Sequence, residues 1–182
     1  YAREHLEASG EWDVLRRRHA VAMIELAERA EPELRLANQK YWFELLETEI
    51  ANLRAALEWS LESSNATAAS RLMSATSLYW IVYGRQDEGI HWTQLVLTRI
   101  HEIAPEYHSR FLRSATLLVV YRDREAAKRL AQRAVAAARA EGDTRQIGWS
   151  LWALSTTLPS GPEAEAVTQE ALVLLRDAND QP

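Results

Sequence analysis

The sequence predicts an all-α fold made of successive antiparallel helix hairpins. Prolines and glycines, 5 and 6 of the 182 residues, fall at intervals and leave long segments free to be helical. Apolar residues recur at steps of three and four, the spacing of one helix face. No segment alternates β-branched and polar residues as a half-buried strand would. A pattern of small and large apolar residues also returns along the chain, which indicates a repeat.

Residues 11–65 are predicted to form a helical hairpin that is a linker or a first repeat-like unit. One apolar stripe begins at Trp12 and ends at Ala30, just before Pro32. His19 lies on this stripe, so we expect it to be a core or boundary residue rather than a metal ligand. A second stripe predicts one helix between Lys40 and Leu61, and its apolar members are Tyr41, Trp42, Leu45, Leu46, Ile50, Leu53, Leu57 and Leu61.

Start and stop signals divide residues 66–182 into three further helix pairs, at about 66–104, 105–142 and 143–178. The expected helices lie at about 66–83, 85–103, 106–121, 123–142, 143–158 and 162–178, which makes about eight in the whole chain. Gly84 and Gly142 mark helix ends, and Asp123 is placed to cap a helix start. Capping-box spacing occurs in the pairs Asp143/Gln146 and Ser160/Glu163.

The second helix of each pair carries small residues at matching positions. At an offset of 38 residues Gly89 aligns with Ala127 and Val96 with Ala134, and the last helix aligns better at an offset of 37. In the first helices Ser77, Ala115 and Ala153 recur, each 38 residues after the one before. Small side chains let two helices approach closely. A lone hairpin cannot bury its apolar face, so the pairs are expected to stack on one another.

These positions resemble the tetratricopeptide repeat (TPR) over about residues 66–178. Its small residues match Ala127 with Ala134 and Ala164 with Ala171. The first-helix pattern is degenerate, since Met73, Phe111 and Trp149 stand where the family favours Trp and Ser77, Ala115 and Ala153 stand where it favours Gly. The proline at the end of the second helix is absent. The resemblance implies a TPR-like superhelical array of antiparallel helix hairpins.

In that array the first helix of each pair would supply a concave groove for a partner or effector. The predicted groove residues are Arg71, Ser74, Leu78, Ser109, Leu112, Thr116, Ser150 and Leu154. This surface would be apolar, with a few hydroxyls and one arginine. It lacks the Lys/Asn clamp with which some TPR proteins hold a peptide carboxylate. A peptide, a small apolar effector or a partner helix would suit it better.

A second resemblance covers about residues 1–100. It is carried by YAREHLEASGE at 1–11, RRRH at 16–19, EIANLRAALEW at 49–59 and YGRQDEG at 83–89. These runs are similar to the helical region that follows the NB-ARC and winged-helix segments of bacterial STAND ATPases, including LuxR-, MalT- and AfsR-like transcriptional regulators. The resemblance implies that residues 1–10 are the tail of a winged-helix region. The remainder would be the non-catalytic sensor and interaction arm of a cytoplasmic regulator.

The partners that this resemblance implies are the protein's own ATPase and DNA-binding domains, other subunits, or a small effector. A homo-oligomer is left open. The ATPase core and the DNA-binding helices would lie outside this sequence, which opens with Tyr-Ala-Arg rather than Met and is expected to be a piece of a longer chain. Two alternatives remain: a generic adaptor scaffold without a nucleotide switch, and a small helical enzyme.

Several kinds of chemistry are disfavoured by the sequence. There is no cysteine, and the formal charge of −5 argues against nucleic-acid binding. No apolar run approaches the roughly 20 residues of a membrane span. Gly84 and Gly89 have P-loop spacing without the required lysine, and His101 with His108 are too far apart for a zincin motif. We therefore expect no catalytic residue, metal or cofactor here.

The arginine runs and the tryptophans are expected to have structural roles. The runs at 16–18 and 122–139 are predicted to lie on solvated helix faces, with docking onto the ATPase domain as the functional alternative. Most of the seven tryptophans should fill gaps between stacked hairpins, and one or two could line a pocket.

Overall fold

The computed structural model describes residues 11–180 and places them in α-helices, with no β-strand in that part of the chain. The helices are α1 (Glu11–Glu33), α2 (Gln39–Thr48), α3 (Ile50–Glu62), α4 (Ala66–Val82), α5 (Gln86–Leu97), α6 (His108–Val119), α7 (Arg124–Glu141), α8 (Thr144–Thr157) and α9 (Pro162–Asp177). Two 3₁₀ turns, Ile100–Glu102 and Pro105–Tyr107, connect α5 to α6. The all-α prediction is confirmed for the described residues. The predicted winged-helix tail at 1–10 lies outside them.

The single helix predicted between Lys40 and Leu61 is two helices. At Glu49, between α2 and α3, the backbone leaves helical geometry with φ −90° and ψ 5°. The amide of Glu49 still donates to the carbonyl of Leu45, and the carbonyl of Glu49 accepts from the amide of Leu53. The chain therefore bends at Glu49 while these two hydrogen bonds hold the junction, and Phe43 of α2 and Leu53 of α3 both reach the core.

Two of the predicted helix caps form as expected. The side chain of Asp123 accepts a hydrogen bond from the amide of Ala126 at 2.8 Å, and that of Asp143 accepts from the amide of Gln146 at 3.0 Å. The cap predicted at Ser160 was wrong. Helix α9 begins at Pro162, Gly161 is its N-cap residue, and no side chain caps it. Proline suits the first helical position because its φ is already near the helical value.

Each helix pair packs on the next one along the chain. Helix α1 contacts α3 and α4, helix α4 contacts α5 and α6, helix α6 contacts α7 and α8, and helix α8 contacts α9. The first helices of successive pairs therefore touch one another directly, in the order α1, α4, α6, α8. We call these four helices the inner row, and they bring side chains that are far apart in sequence to one face.

Small residues lie where these helices cross. Ala115 and Ala153 are almost completely buried, and Ser77 is 7% exposed. At Gly89 of α5, an added Cβ would lie 2.8 Å from the Cβ of Trp80 on α4. Gly148 of α8, which the sequence pattern did not single out, is equally crowded, because an added Cβ would lie 2.7 Å from Cγ of a leucine on α9. Close helix approach thus depends on these residues.

Candidate functional site

The predicted groove residues lie on neighbouring helices, but most of them are covered. The five buried ones are Ser74, Ser109, Leu112, Thr116 and Ser150. They offer no surface to a partner because α4 packs directly on α6 and α6 on α8. Arg71, Leu78 and Leu154 remain partly exposed, and partner contact by these three stays a prediction.

Three of the four buried hydroxyls among them bond within the protein instead. Ser74 donates to the carbonyl of Ser70 at 2.7 Å, and Thr116 donates to the carbonyl of Leu112 at 2.9 Å. The hydroxyl of Ser109 donates to the carboxylate of Glu141 at 2.6 Å. Such bonds satisfy the polar groups that close helix packing removes from water. These serines and threonines therefore support the packing of the inner row.

A ladder of ion pairs runs across the inner row of helices. Arg71 on α4 holds Glu28 on α1 with two hydrogen bonds, at 2.9 and 2.7 Å. Arg110 on α6 approaches the same carboxylate at 3.6 Å and also pairs with Glu31 on α1. These contacts tie α1 to α4 and α6, the first helices of the next two pairs.

The ladder changes the acidity of Glu28. Burial alone acts to raise the pKa of its carboxyl, but the hydrogen bonds and charges of Arg71 and Arg110 outweigh burial. The net result is a pKa below the ordinary value of 4.5. A carboxyl whose pKa is lower in the folded protein stabilises the fold above its unfolded pKa, and that contribution disappears as the pH falls through the folded pKa.

We expect the Glu28→Gln variant to be less stable than the parent at neutral pH and to lose less stability on acidification. Protonation of Glu28, as the pH falls through its lowered pKa, removes the same ion pairs that the substitution removes. Urea unfolding followed by circular dichroism across pH about 3 to 7 measures this. Glu58→Gln, at an exposed position of α3, is the control. Parallel acid profiles for parent and E28Q would contradict the prediction.

A cavity of about 560 Å³ opens where the ladder ends, between the end of α1 and the first turns of α6 and α8. We call it the arginine cavity. It is lined by Glu31, Pro32, Arg35, Leu36, Arg110, Arg113, Arg145, Gln146, Trp149 and Asp180. Its size is within the range of small-molecule sites in proteins. Four guanidinium groups share this space with two carboxylates.

Both carboxylates of the arginine cavity are already engaged. Glu31 pairs with Arg110, and Asp180 pairs with Arg145 and accepts a hydrogen bond from the indole N–H of Trp149 at 2.8 Å. The other two guanidiniums, of Arg35 and Arg113, have no carboxylate partner within the described part of the chain. They lie 5.1 and 5.6 Å from the ring centroid of Trp149, within cation–π distance. Positive charge therefore remains uncompensated at this cavity.

Arg113 is the most unusual member of the set. It is only 7% exposed, and its Nε atom has no hydrogen-bond partner. Burial and the like charges of Arg35, Arg110 and Arg145 lower the pKa of Arg113, and the attraction of Glu31 opposes them only in part. The net result is a pKa of about 10. Arg113 stays protonated at neutral pH. A buried charge without a hydrogen-bonded partner lowers the stability of the fold, so an anion that paired with Arg113 would remove this cost.

The amide of Gln146 adds a further unsatisfied group to the cavity. Its Oε1 atom is buried and has no hydrogen-bond partner. An amide that rotates by half a turn presents its two N–H donors in place of the oxygen. Gln146 can therefore donate to a ligand in the cavity. The hydroxyl of Ser150, one helical turn further along α8, is buried without a partner as well.

Sequence reasoning missed the arginines of this cavity, although a weak signal is present. Glu28, Glu31 and Arg35 are spaced by three and four residues, and Arg110 and Arg113 by three, so each set lies on one helix face.

The tryptophans were predicted to fill gaps between helices or to line a pocket. Trp80, Trp92 and Trp149 are buried, and Trp149 also lines the arginine cavity. Trp12 and Trp59 line a second cavity, of about 490 Å³, together with His19.

Other sequence features fall in ordinary structural settings. His108 bonds the carbonyl of Ile103 at 2.9 Å, and Glu102 pairs with Arg99. Among residues 11–180 no group of three or more acidic or histidine side chains could hold a metal ion. Gly84 lies in the turn between α4 and α5. Within the same range every helix is too short or too polar to cross a lipid bilayer.

Three curated proteins are similar to this chain over its whole length. They are named as HTH-type transcriptional regulators, one from Mycobacterium bovis and two from strains of Mycobacterium tuberculosis. Each is 32% identical over an alignment of 193 positions that covers 100% of this chain and 21% of the relative. The chain thus spans about a fifth of the length of the curated relatives it matches. No protein-family model matches it, and no solved structure matches it.

Proposed function

We propose that this chain is the non-catalytic sensor and protein-interaction arm of a cytoplasmic STAND-type transcriptional regulator. The observation that carries the proposal is the similarity of the whole chain to a fifth of the length of proteins named as HTH-type transcriptional regulators. The other four fifths of such a regulator is long enough for separate nucleotide-binding and DNA-binding domains. Those domains would be the arm's first partners, with other subunits as further ones.

Within this proposal the helices form a TPR-like superhelical array. Support comes from the way each helix pair packs on the next and from the row of first helices that touch one another. Buried small residues at the crossings, such as Ala115 and Ala127, are what that architecture requires. The LuxR-, MalT- and AfsR-like resemblance of the first hundred residues points to the same kind of regulator.

The mechanism follows from where the arginine cavity lies. Its walls come from three helix pairs, so a ligand there contacts all three at once. Such a ligand favours whichever arrangement of the pairs forms the complete cavity. The arm then shifts the regulator between an inhibited and an active arrangement relative to its ATPase module. The arm itself contacts no nucleic acid in this mechanism, in keeping with its formal charge of −5.

The complete reading frame and a deletion test the proposal together. We expect a G-x4-G-K-[ST] motif upstream of Tyr1 and a helix-turn-helix elsewhere in the frame. Deleting residues 11–180 should leave DNA binding in a gel-shift assay intact while transcription of the target genes becomes independent of the inducing signal. A frame without the nucleotide-binding motif would instead support the adaptor scaffold. Turnover of a substrate by the purified chain would support the enzyme.

A further inference from the structure

We infer that the arginine cavity binds a small oxyanion with two negative charges, held by Arg113 and Arg35 beside the ring of Trp149. The inference deepens the proposed function, because the oxyanion would be the signal that the arm senses. Binding itself, however, can be measured whether or not the arm regulates transcription.

The charge balance of the cavity is the first reason. Arg110 and Arg145 are neutralised by Glu31 and Asp180, whereas Arg35 and Arg113 have no carboxylate partner in the described residues. A ligand with two negative charges would neutralise these two guanidiniums. Arg113 is 7% exposed, so solvent and salt screen its charge poorly.

The geometry of the donors is the second reason. The Nε–H of Arg113 is buried and lacks an acceptor, and the amide of Gln146 also lacks a partner. A guanidinium is planar and matches carboxylate and phosphate oxygens in a bidentate manner. Both guanidiniums lie over the ring of Trp149, at 5.1 and 5.6 Å from its centroid, so the two donors are already side by side. The donors are therefore preorganised for an oxyanion.

The cavity volume is that of a small-molecule site. About 560 Å³ accommodates a compact metabolite-sized anion. A single aspartate or glutamate from another segment would bring only one negative charge to two unmatched guanidiniums. Phosphate monoesters and dicarboxylates share the required chemistry.

Isothermal titration calorimetry of the protein with inorganic phosphate and with succinate, at constant ionic strength, tests the inference. At least one of these dianions should bind, and sodium acetate should bind more weakly. Arg113→Met should weaken the binding by about tenfold or more, because a charge-assisted hydrogen bond to a buried group is lost. Arg35→Met changes an exposed residue, and it should weaken binding as well.

Arg133→Met, on the exposed face of α7, is the matched control and should bind like the parent. Thermal melting adds a check on folding: the dianion should raise the melting temperature of the parent and of R133M, and it should raise that of R113M by less at the same ligand concentration. No binding of either dianion, or equal binding by R113M and R133M, would overturn the inference. If the dianion binds in a way that depends on Arg113 while R113M leaves transcription by the full-length regulator unchanged, that pair of results would support the binding site and contradict the proposed function.

Discussion

Replacing Trp80 with alanine is expected to lower the free energy of unfolding by about 3–5 kcal/mol. The indole of Trp80 is fully buried between α4 and its neighbours, and its N–H donates to the hydroxyl of Thr76 at 2.9 Å. Its ring also packs edge-on against Tyr79 at 5.3 Å. The substitution leaves a large void at the crossing of α4 and α5. Since domains of this size are stable by about 5–15 kcal/mol, the loss is severe.

Guanidinium chloride unfolding followed by far-UV circular dichroism measures this loss. Tyr121→Ala is the control, because Tyr121 is 82% exposed and its removal should change the free energy of unfolding by about 0.5 kcal/mol or less. Similar losses for W80A and Y121A would show that the α4–α5 crossing is not packed as the structure has it.

Gly89→Leu should be almost as damaging, by about 3 kcal/mol, for the opposite reason. A Cβ at this position would lie 2.8 Å from the Cβ of Trp80 and 3.0 Å from a side-chain carbon of Leu118. Both distances are shorter than van der Waals contact, so α5 must move away from α4 and α6. The matched control is Gln94→Leu, which adds the same side chain at an exposed position of the same helix.

The double variant distinguishes this crossing from two unrelated defects. Alanine at 80 keeps the Cβ that lies 2.8 Å away, but it removes the indole, including the Cγ at 3.0 Å, and a leucine side chain at 89 can partly fill that space. We therefore expect the combined loss of W80A and G89L to be smaller than the sum of the single losses, by about 1 kcal/mol or more. Additive losses would mean that the two positions do not share one crossing.

Features that depend on neighbours in sequence were predictable. The caps at Asp123 and Asp143 and the left-handed Gly142 are local, because each involves residues no more than four positions apart. The bend at Glu49 was not predictable, since the apolar stripe runs through it unbroken. The buried residues on either side of it, Leu46 of α2 and Leu53 and Leu57 of α3, keep one helical spacing across the junction. Ser160 has the spacing to Glu163 that is typical of a capping box, but the helix starts at Pro162, with Gly161 as its N-cap residue.

The candidate site was also predictable only in part from the sequence. The sequence pattern placed hydroxyls and leucines on the inner helices, and most of them turned out to be covered by the next helix in the row. Arg113 lies in the run FLRSATLL, where nothing local tells a buried arginine from an exposed one. The Trp149 ring that it faces and the Arg35 charge that acts on it come from segments far away in the chain.

By itself, the sequence determined the helical class, most helix ends and the small residues at the crossings, because these depend on periodicity and on bonds within a turn or two of helix. Only the tertiary structure decided which helix faces are hidden and which charges meet. The end of α1 reaches across to α6 and α8, and this long-range contact gathers four arginines around one tryptophan. Coulomb and packing energies depend on distances in space, so the chain order does not reveal them.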